Sequence, residues 1–139
     1  PDIKWHVVGN KPTEEIKNLA SDNIIVEGFV SDEKLEQLYN SCRMAVVPLR
    51  VGAGVKGKIV EASYYQVPVV TTDVGAEGIS SEEKALIVEN DACKMAEVIC
   101  SLYEDYDMLA EYAARERKLI EKHYLLKNAM DVLKKDMDK

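Results

Sequence analysis

Apolar residues along the chain alternate between two spacings. Short continuous runs rich in Val and Ile give way to longer stretches in which apolar positions recur three and four apart. The first spacing predicts buried strands and the second amphipathic helices. Trp5–Val8 reads as a strand ending at Gly9, and Asn10–Thr13 as a turn. Thr13 then heads a helix with Glu14 and Glu15 in its first turn, and Ile16, Leu19 and Ala20 are expected to face inward. Ile24-Ile25-Val26 predicts a second strand, closed by Gly28-Phe29-Val30. Ser31 is placed to cap the next helix, whose apolar stripe is Leu35, Leu38, Tyr39 and Cys42. A Lys at position 34 leaves the capping box incomplete.

The run Met44–Pro48 predicts a third strand, apolar throughout and so expected to be buried on both faces. A glycine-rich loop and a helix of roughly 57 to 65 follow. Val67–Thr72 reads as a fourth strand, with Pro68 tolerable at its start. Gly75–Gly78 reads as a loop and Leu86–Val88 as a short fifth strand. Asn90 or Asp91 caps a helix to about Tyr103, a second helix covers roughly 107 to 122, and a third runs from about 125 to the end. Strands alternating with helices, several strands being Val/Ile runs, imply an α/β fold: a Rossmann-like parallel sheet with helices on both faces. In such sheets ligands bind beyond the carboxyl ends of the strands. The four loops expected there are Gly9-Asn10, Gly28–Val30, Gly52–Gly57 and Gly75–Gly78, and each contains glycine.

At 139 residues the chain has the length of one domain, and it is read as a single unit over 1–139. A formal net charge of -7 argues against general nucleic-acid binding and against an anionic membrane surface. It also makes Arg50, Lys56 and Lys58 a local basic spot on an acidic protein. No run approaches the ~18 apolar residues of a membrane span. Beginning at Pro1 without an apolar leader, the chain is expected to be a piece of a longer protein. Three cysteines without C-x-x-C spacing argue against a metal site or a disulfide framework and point to a reducing compartment. Cys93 and Cys100, seven apart on one helix face, are expected in the core. His6 and His123 are isolated and expected to be structural, and the tyrosines at 103, 106 and 112 are expected to pack between helices.

The segment Gly52-Ala53-Gly54-Val55-Lys56-Gly57-Lys58 carries the clearest chemistry. Glycine lets backbone N–H groups approach an anion closely, and a helix starting near Gly57 adds its free N–H groups and dipole. Lys56 and Lys58 add full charges. Glu61, one turn on, can accept hydrogen bonds from ribose or sugar hydroxyls. Together these residues suit a nucleotide or nucleotide sugar. The competing reading is a flexible loop with solvated lysines. Neither Gly-Lys-Ser/Thr nor Gly-x-Gly-x-x-Gly occurs, so this is neither a Walker A loop nor a dinucleotide fingerprint.

The order Gly28-Phe29-Val30, Leu38-Tyr39, Val47–Arg50, Gly52–Lys58, Glu61-Ala62, Val67–Thr72, Gly75–Gly78 resembles the donor-binding, C-terminal domain of retaining GT-B glycosyltransferases of the group 1 family. The similarity covers about residues 5 to 125. It implies one Rossmann-like half of a GT-B enzyme, lacking that half's first strand and helix and the N-terminal acceptor domain. It implies a sugar-nucleotide donor, with Gly28, Phe29 and Val30 by the base. Arg50 and the segment Gly52, Ala53, Gly54, Val55, Lys56 and Lys58 would face the diphosphate, and Glu61 would bind the ribose. No metal or other cofactor is expected, since helix ends and basic side chains stabilise the leaving phosphate.

There are two departures from the family pattern. Ala53 stands eight positions before Glu61, where the first glutamate of the family's pair usually lies. A strand and helix carrying a basic Arg/Lys pair would normally precede Trp5. Without that central strand, the strands near Val7 and Val46 are expected to pair directly or to drive association with another copy.

The resulting expectation is the nucleotide-sugar-binding domain of a retaining glycosyltransferase that builds a polysaccharide or glycoconjugate, hexosyl-type, with no useful turnover by this chain alone. No single residue is assigned as catalytic. The parent is expected in the cytoplasm, with peripheral attachment at the inner membrane left open. The alternatives are a non-catalytic nucleotide-binding or interaction module, and an epimerase-like protein on the same architecture using Asp73 or Glu77.

Overall fold

The computed structural model describes residues 3–79 and 84–125. The helix expected from about 125 to the end lies outside them. The chain divides into two compact units, the first reaching to Leu38 and the second beginning at Tyr39.

In the first unit, β1 (Trp5–Val8) and β2 (Ile24–Gly28) form a parallel pair in which Trp5 faces Ile24 and Val7 faces Val26. The register slips between Val7 and Val8, so that Val8 meets Gly28. Between them α1 is a single turn, Glu14–Lys17, started by Thr13, whose hydroxyl accepts from Ile16 N. The helix ends before Leu19, which is exposed rather than inward as its spacing predicted. One turn is below the length at which a helix presents a continuous apolar face. His6 is structural as expected, its Nδ1 2.8 Å from Glu27 Oε1. Ser31 accepts from Lys34 N at the start of α2 (Asp32–Ser41), which carries the chain across the unit boundary.

In the second unit β3 (Ala45–Val47), β4 (Val69–Thr71) and β5 (Ile87–Val88) form a parallel sheet in that order. The strands through Val7 and Val46 are not ladder partners; the described strands form two separate sheets. As an outer strand of its sheet, β3 buries only Val47 fully, while Ala45 and Val46 are half-buried, less than the apolar run predicted. Successive side chains of β4 point to opposite faces. Val69 packs in a cluster with Ile59 of α3 (Gly57–Tyr64) and Leu119 of α6 (Tyr106–His123). Val70 packs with Met95 and Ile99 of α5 (Ala92–Tyr103). Helices therefore cover both faces of this sheet, and each fully buried Val or Ile contributes about 1.5–3 kcal/mol.

Asp91 and Asp105 start α5 and α6 by accepting from Lys94 N and Met108 N. Cys93 and Cys100 are both exposed, against the expectation of core packing: the buried stripe of α5 is Met95, Ile99 and Leu102, and the cysteines lie off it. The tyrosines of this region meet arginine. The Arg43 guanidinium lies 4.2 Å from the Tyr103 ring centre and 4.7 Å from that of Tyr106.

One buried carboxyl was not foreseen. Glu116 of α6 has 0% exposure, inside the sheet–helix core. Its Oε1 accepts from Val69 N at 2.9 Å and its Oε2 from Ser63 Oγ at 2.8 Å. The carboxyl thus ties α6 both to α3 and to the first residue of β4. Burial pushes its pKa up to about 8, opposed by those two hydrogen bonds.

Candidate functional site

The glycine-rich loop leaves the carboxyl end of β3, and two threonines of the neighbouring strand end anchor its start. Thr71 Oγ1 donates to Val47 O at 2.8 Å and Thr72 Oγ1 to Leu49 O at 2.5 Å. Beyond this anchor the chain is exposed: Arg50, Val51 (83% exposed), Gly52, Ala53 and Gly54 have little cover. Gly52 and Gly54 have φ of +145° and +70°, a region that side chains disfavour. The turn they make closes around the stem of Lys56. A Cβ on Gly52 would lie 3.1 Å from Lys56 Cε. Lys56 Nζ donates to Gly54 O at 2.5 Å and sits 3.8 Å from Glu77 Oε2. Its side chain is only 10% exposed. Lys56, expected as an open phosphate ligand, instead braces the loop from inside, whereas Lys58 is exposed.

The segment after β4 is not a simple loop. Thr72 Oγ1 also accepts from Gly75 N, which starts the one-turn helix α4 (Asp73–Ala76). Gly75 is required there, because a methyl group would collide with the Thr71 hydroxyl and lie 3.3 Å from Val47 O. Gly78 (φ +76°) brings its backbone against the loop, since a Cβ would be 3.0 Å from Val55 Cγ2. Asp73 accepts from Asn90 Nδ2 at 2.5 Å, which ties it into the structure rather than leaving it as a free acid.

The loop runs directly into α3. Lys56 occupies the cap position and makes no side-chain capping bond, so no side chain closes the helix start. One turn on, the exposed Glu61 accepts a hydrogen bond from Tyr39 Oη at 3.3 Å. The Tyr39 ring stacks on Tyr65, 5.2 Å between centres and 15° between planes, and Tyr64 meets Tyr65 edge-on. The Arg117 guanidinium lies 4.3 Å from the Tyr64 ring centre, and it donates to Tyr64 O. An open groove of about 590 Å³ runs along α3, lined by Gly57, Val60, Glu61 and Tyr64, with Ile120 and Tyr124 from the α6 side. Tyr124 Oη donates to Gly78 O at 3.0 Å, which holds the end of α6 to the segment after β4.

In the first unit, Gly28 (φ +67°) ends β2, Phe29 is 79% exposed and Val30 is half-buried. Gly9 N donates to Gly28 O, so the two glycine-bearing loops of this unit are joined, as Val55 and Gly78 join the two of the second. Among the expected residues of the second unit, Gly52 to Lys58 form one loop and Glu61 stands on the helix it enters. Glu77 was expected on the same rim, but neither Tyr39 nor Tyr65 was foreseen as a partner of Glu61. Their contacts bridge 22 residues between Tyr39 and Glu61, beyond the reach of local spacing. Among the described residues no cluster of three or more His, Cys, Asp or Glu is placed to hold a metal ion, and no helix is long and apolar enough to cross a membrane.

Fold and loop together define an α/β protein with parallel sheets flanked by helices, whose strand ends carry a lysine-bearing glycine loop. The chain belongs to the family described as group 1 glycosyl transferases, which it matches over residues 1–105. Its backbone is similar to the crystal structure of TarM, with a TM-score of 0.77 over 97% of the chain at 19% sequence identity. It is also 30% identical, over 89% of its length, to an uncharacterized 44.6 kDa protein in the cps region of Klebsiella pneumoniae. The chain spans about a third of these proteins, 34% of the Klebsiella protein and 28% of TarM.

Proposed function

We propose that this chain is the donor-binding part of a retaining glycosyltransferase that takes its sugar from a nucleotide sugar, and that the parent builds a polysaccharide or glycoconjugate. The observation that carries the reading is the sequence of groups along one short path: a glycine loop braced from within, a helix start without a side-chain cap, the exposed Lys58, and Glu61 one turn later. The helix start and Lys58 suit a diphosphate, and their positive charge would stabilise it as it leaves the sugar. Glu61 suits the ribose diol, because its carboxylate can accept a hydrogen bond from each of the two hydroxyls. The relative from a cps region supports a polysaccharide product. Transfer also requires an acceptor wall that orients the second sugar and excludes water, so the chain alone is proposed to lack useful turnover.

The test is calorimetric titration of the chain with UDP, GDP and ADP. One of them is expected to bind, and Glu61→Ala is expected to weaken that binding by about tenfold, the loss of hydrogen bonds to a charged acceptor. Failure of all three nucleotides to bind would refute the reading. A second reading, a nucleotide-binding module without transferase activity, rests on Ala53, an exposed methyl where the family pattern has a carboxylate. Sugar transfer by the longer parent protein, abolished by Glu61→Ala, would exclude it.

A further inference from the structure

We propose that Tyr39 is a positioning residue for Glu61: its hydroxyl holds one carboxylate oxygen in place, so that the carboxylate meets the ribose diol of a nucleoside diphosphate already oriented. The inference rests on the nucleotide-binding reading and adds to it a residue from a different helix. Glu61 is an exposed side chain on α3, and an unrestrained glutamate samples many rotamers. The contact from Tyr39 Oη to Oε2, 3.3 Å, selects among them.

The donor is itself fixed. Tyr39 lies flat on Tyr65, the C-cap residue of α3, four residues after Glu61, whose backbone carbonyl accepts from Tyr65 N. Tyr64 meets Tyr65 at 88°, and Arg117 lies over Tyr64, so the stack is braced from behind. Burial, followed by the adjacent negative charge of Glu61, raises the Tyr39 pKa above its usual value, and the phenol therefore remains a donor at any working pH. One phenolic hydrogen uses one lone pair of the carboxylate and leaves the others for two ligand hydroxyls. The contact is long for a hydrogen bond, as pre-ligand contacts often are before they tighten in the complex.

Tyr39→Phe removes the hydroxyl and keeps the ring. The experiment titrates wild type, Tyr39→Phe and Tyr39→Leu with whichever of UDP, GDP or ADP binds, and with its dideoxyribose counterpart. Melting temperatures of all three proteins are measured alongside. Tyr39→Phe is expected to weaken the ribonucleotide about three- to tenfold, to leave the dideoxy compound unchanged, and to melt with wild type. Tyr39→Leu, which also loses the stack, is expected to weaken the ribonucleotide at least as much and to melt lower. Equal affinity of wild type and Tyr39→Phe for the ribonucleotide would overturn this inference alone. Equal weakening of both ligands would do the same, because it would mark a general structural effect. No binding of any nucleotide by wild type would overturn both this inference and the reading beneath it.

Discussion

Raising the pH should destabilise this protein through one residue, Glu116. Its carboxyl is fully buried, and its pKa is pushed from the usual 4.5 to about 8. In the unfolded chain the group releases its proton above about pH 4.5, whereas the folded chain keeps it to about pH 8. Between those values the folded state binds more protons, so each rise in pH favours unfolding. The contribution is complete below the lower value and lost above the higher one. At ~1.4 kcal/mol per tenfold change in proton affinity, the full loss is on the order of 5 kcal/mol, with about half of it between pH 5 and pH 7. That is a large fraction of the 5–15 kcal/mol that holds a typical domain together.

The hydrogen bonds make the perturbation clean. Glutamine has nearly the same shape. Its Oε1 can still accept from Val69 N, and its Nε2 can donate to Ser63 Oγ, which replaces the contacts at 2.9 and 2.8 Å. Urea unfolding of wild type and Glu116→Gln, followed by far-ultraviolet circular dichroism from pH 5 to pH 8.5, should give nearly equal stabilities at the acid end. Toward the alkaline end the variant should become the more stable protein by a few kcal/mol. Parallel pH profiles for the two proteins would refute the reasoning, since the buried carboxyl would then carry no linked proton.

Three further outcomes are expected in and around the loop. Gly75→Ala should cost about 2 kcal/mol in thermal unfolding, because the added methyl meets the Thr71 hydroxyl and the Val47 carbonyl at a crowded backbone. Lys58→Ala should weaken nucleoside diphosphate binding and flatten its dependence on salt, measured by titration at two ionic strengths. Lys56→Ala should instead lower the melting temperature by the equivalent of about 1 kcal/mol, since the loop would lose its internal donor to Gly54 O.

Much of the fold was legible along the chain. Val/Ile runs marked the strands to within one or two residues, because a parallel strand covered on both faces must be apolar at successive positions. Thr13 and Asp91 started helices for a reason contained within three residues, a side-chain oxygen meeting a backbone N–H. The glycine-lysine loop and Glu61 were visible because the conformations and charges they need belong to residue type. Local signals misled where length or neighbours decided. The helix after Thr13 stops after one turn and leaves Leu19 exposed, and the stripe of α5 rotates Cys93 and Cys100 outward.

Residue types and spacing therefore determined the α/β class, the order of its strands and main helices and the place of the glycine-lysine loop, all of which depend on interactions a few residues apart. Only the tertiary structure decided that Lys56 folds beneath its own loop toward Glu77, that Tyr39 holds Glu61, and that Glu116 is sealed against Ser63 and Val69. The last two kinds of contact span from 22 to 53 residues. They exist because packed helices and strands bring distant groups to within 2.8 to 3.3 Å, where burial and hydrogen-bond geometry fix a carboxylate's environment.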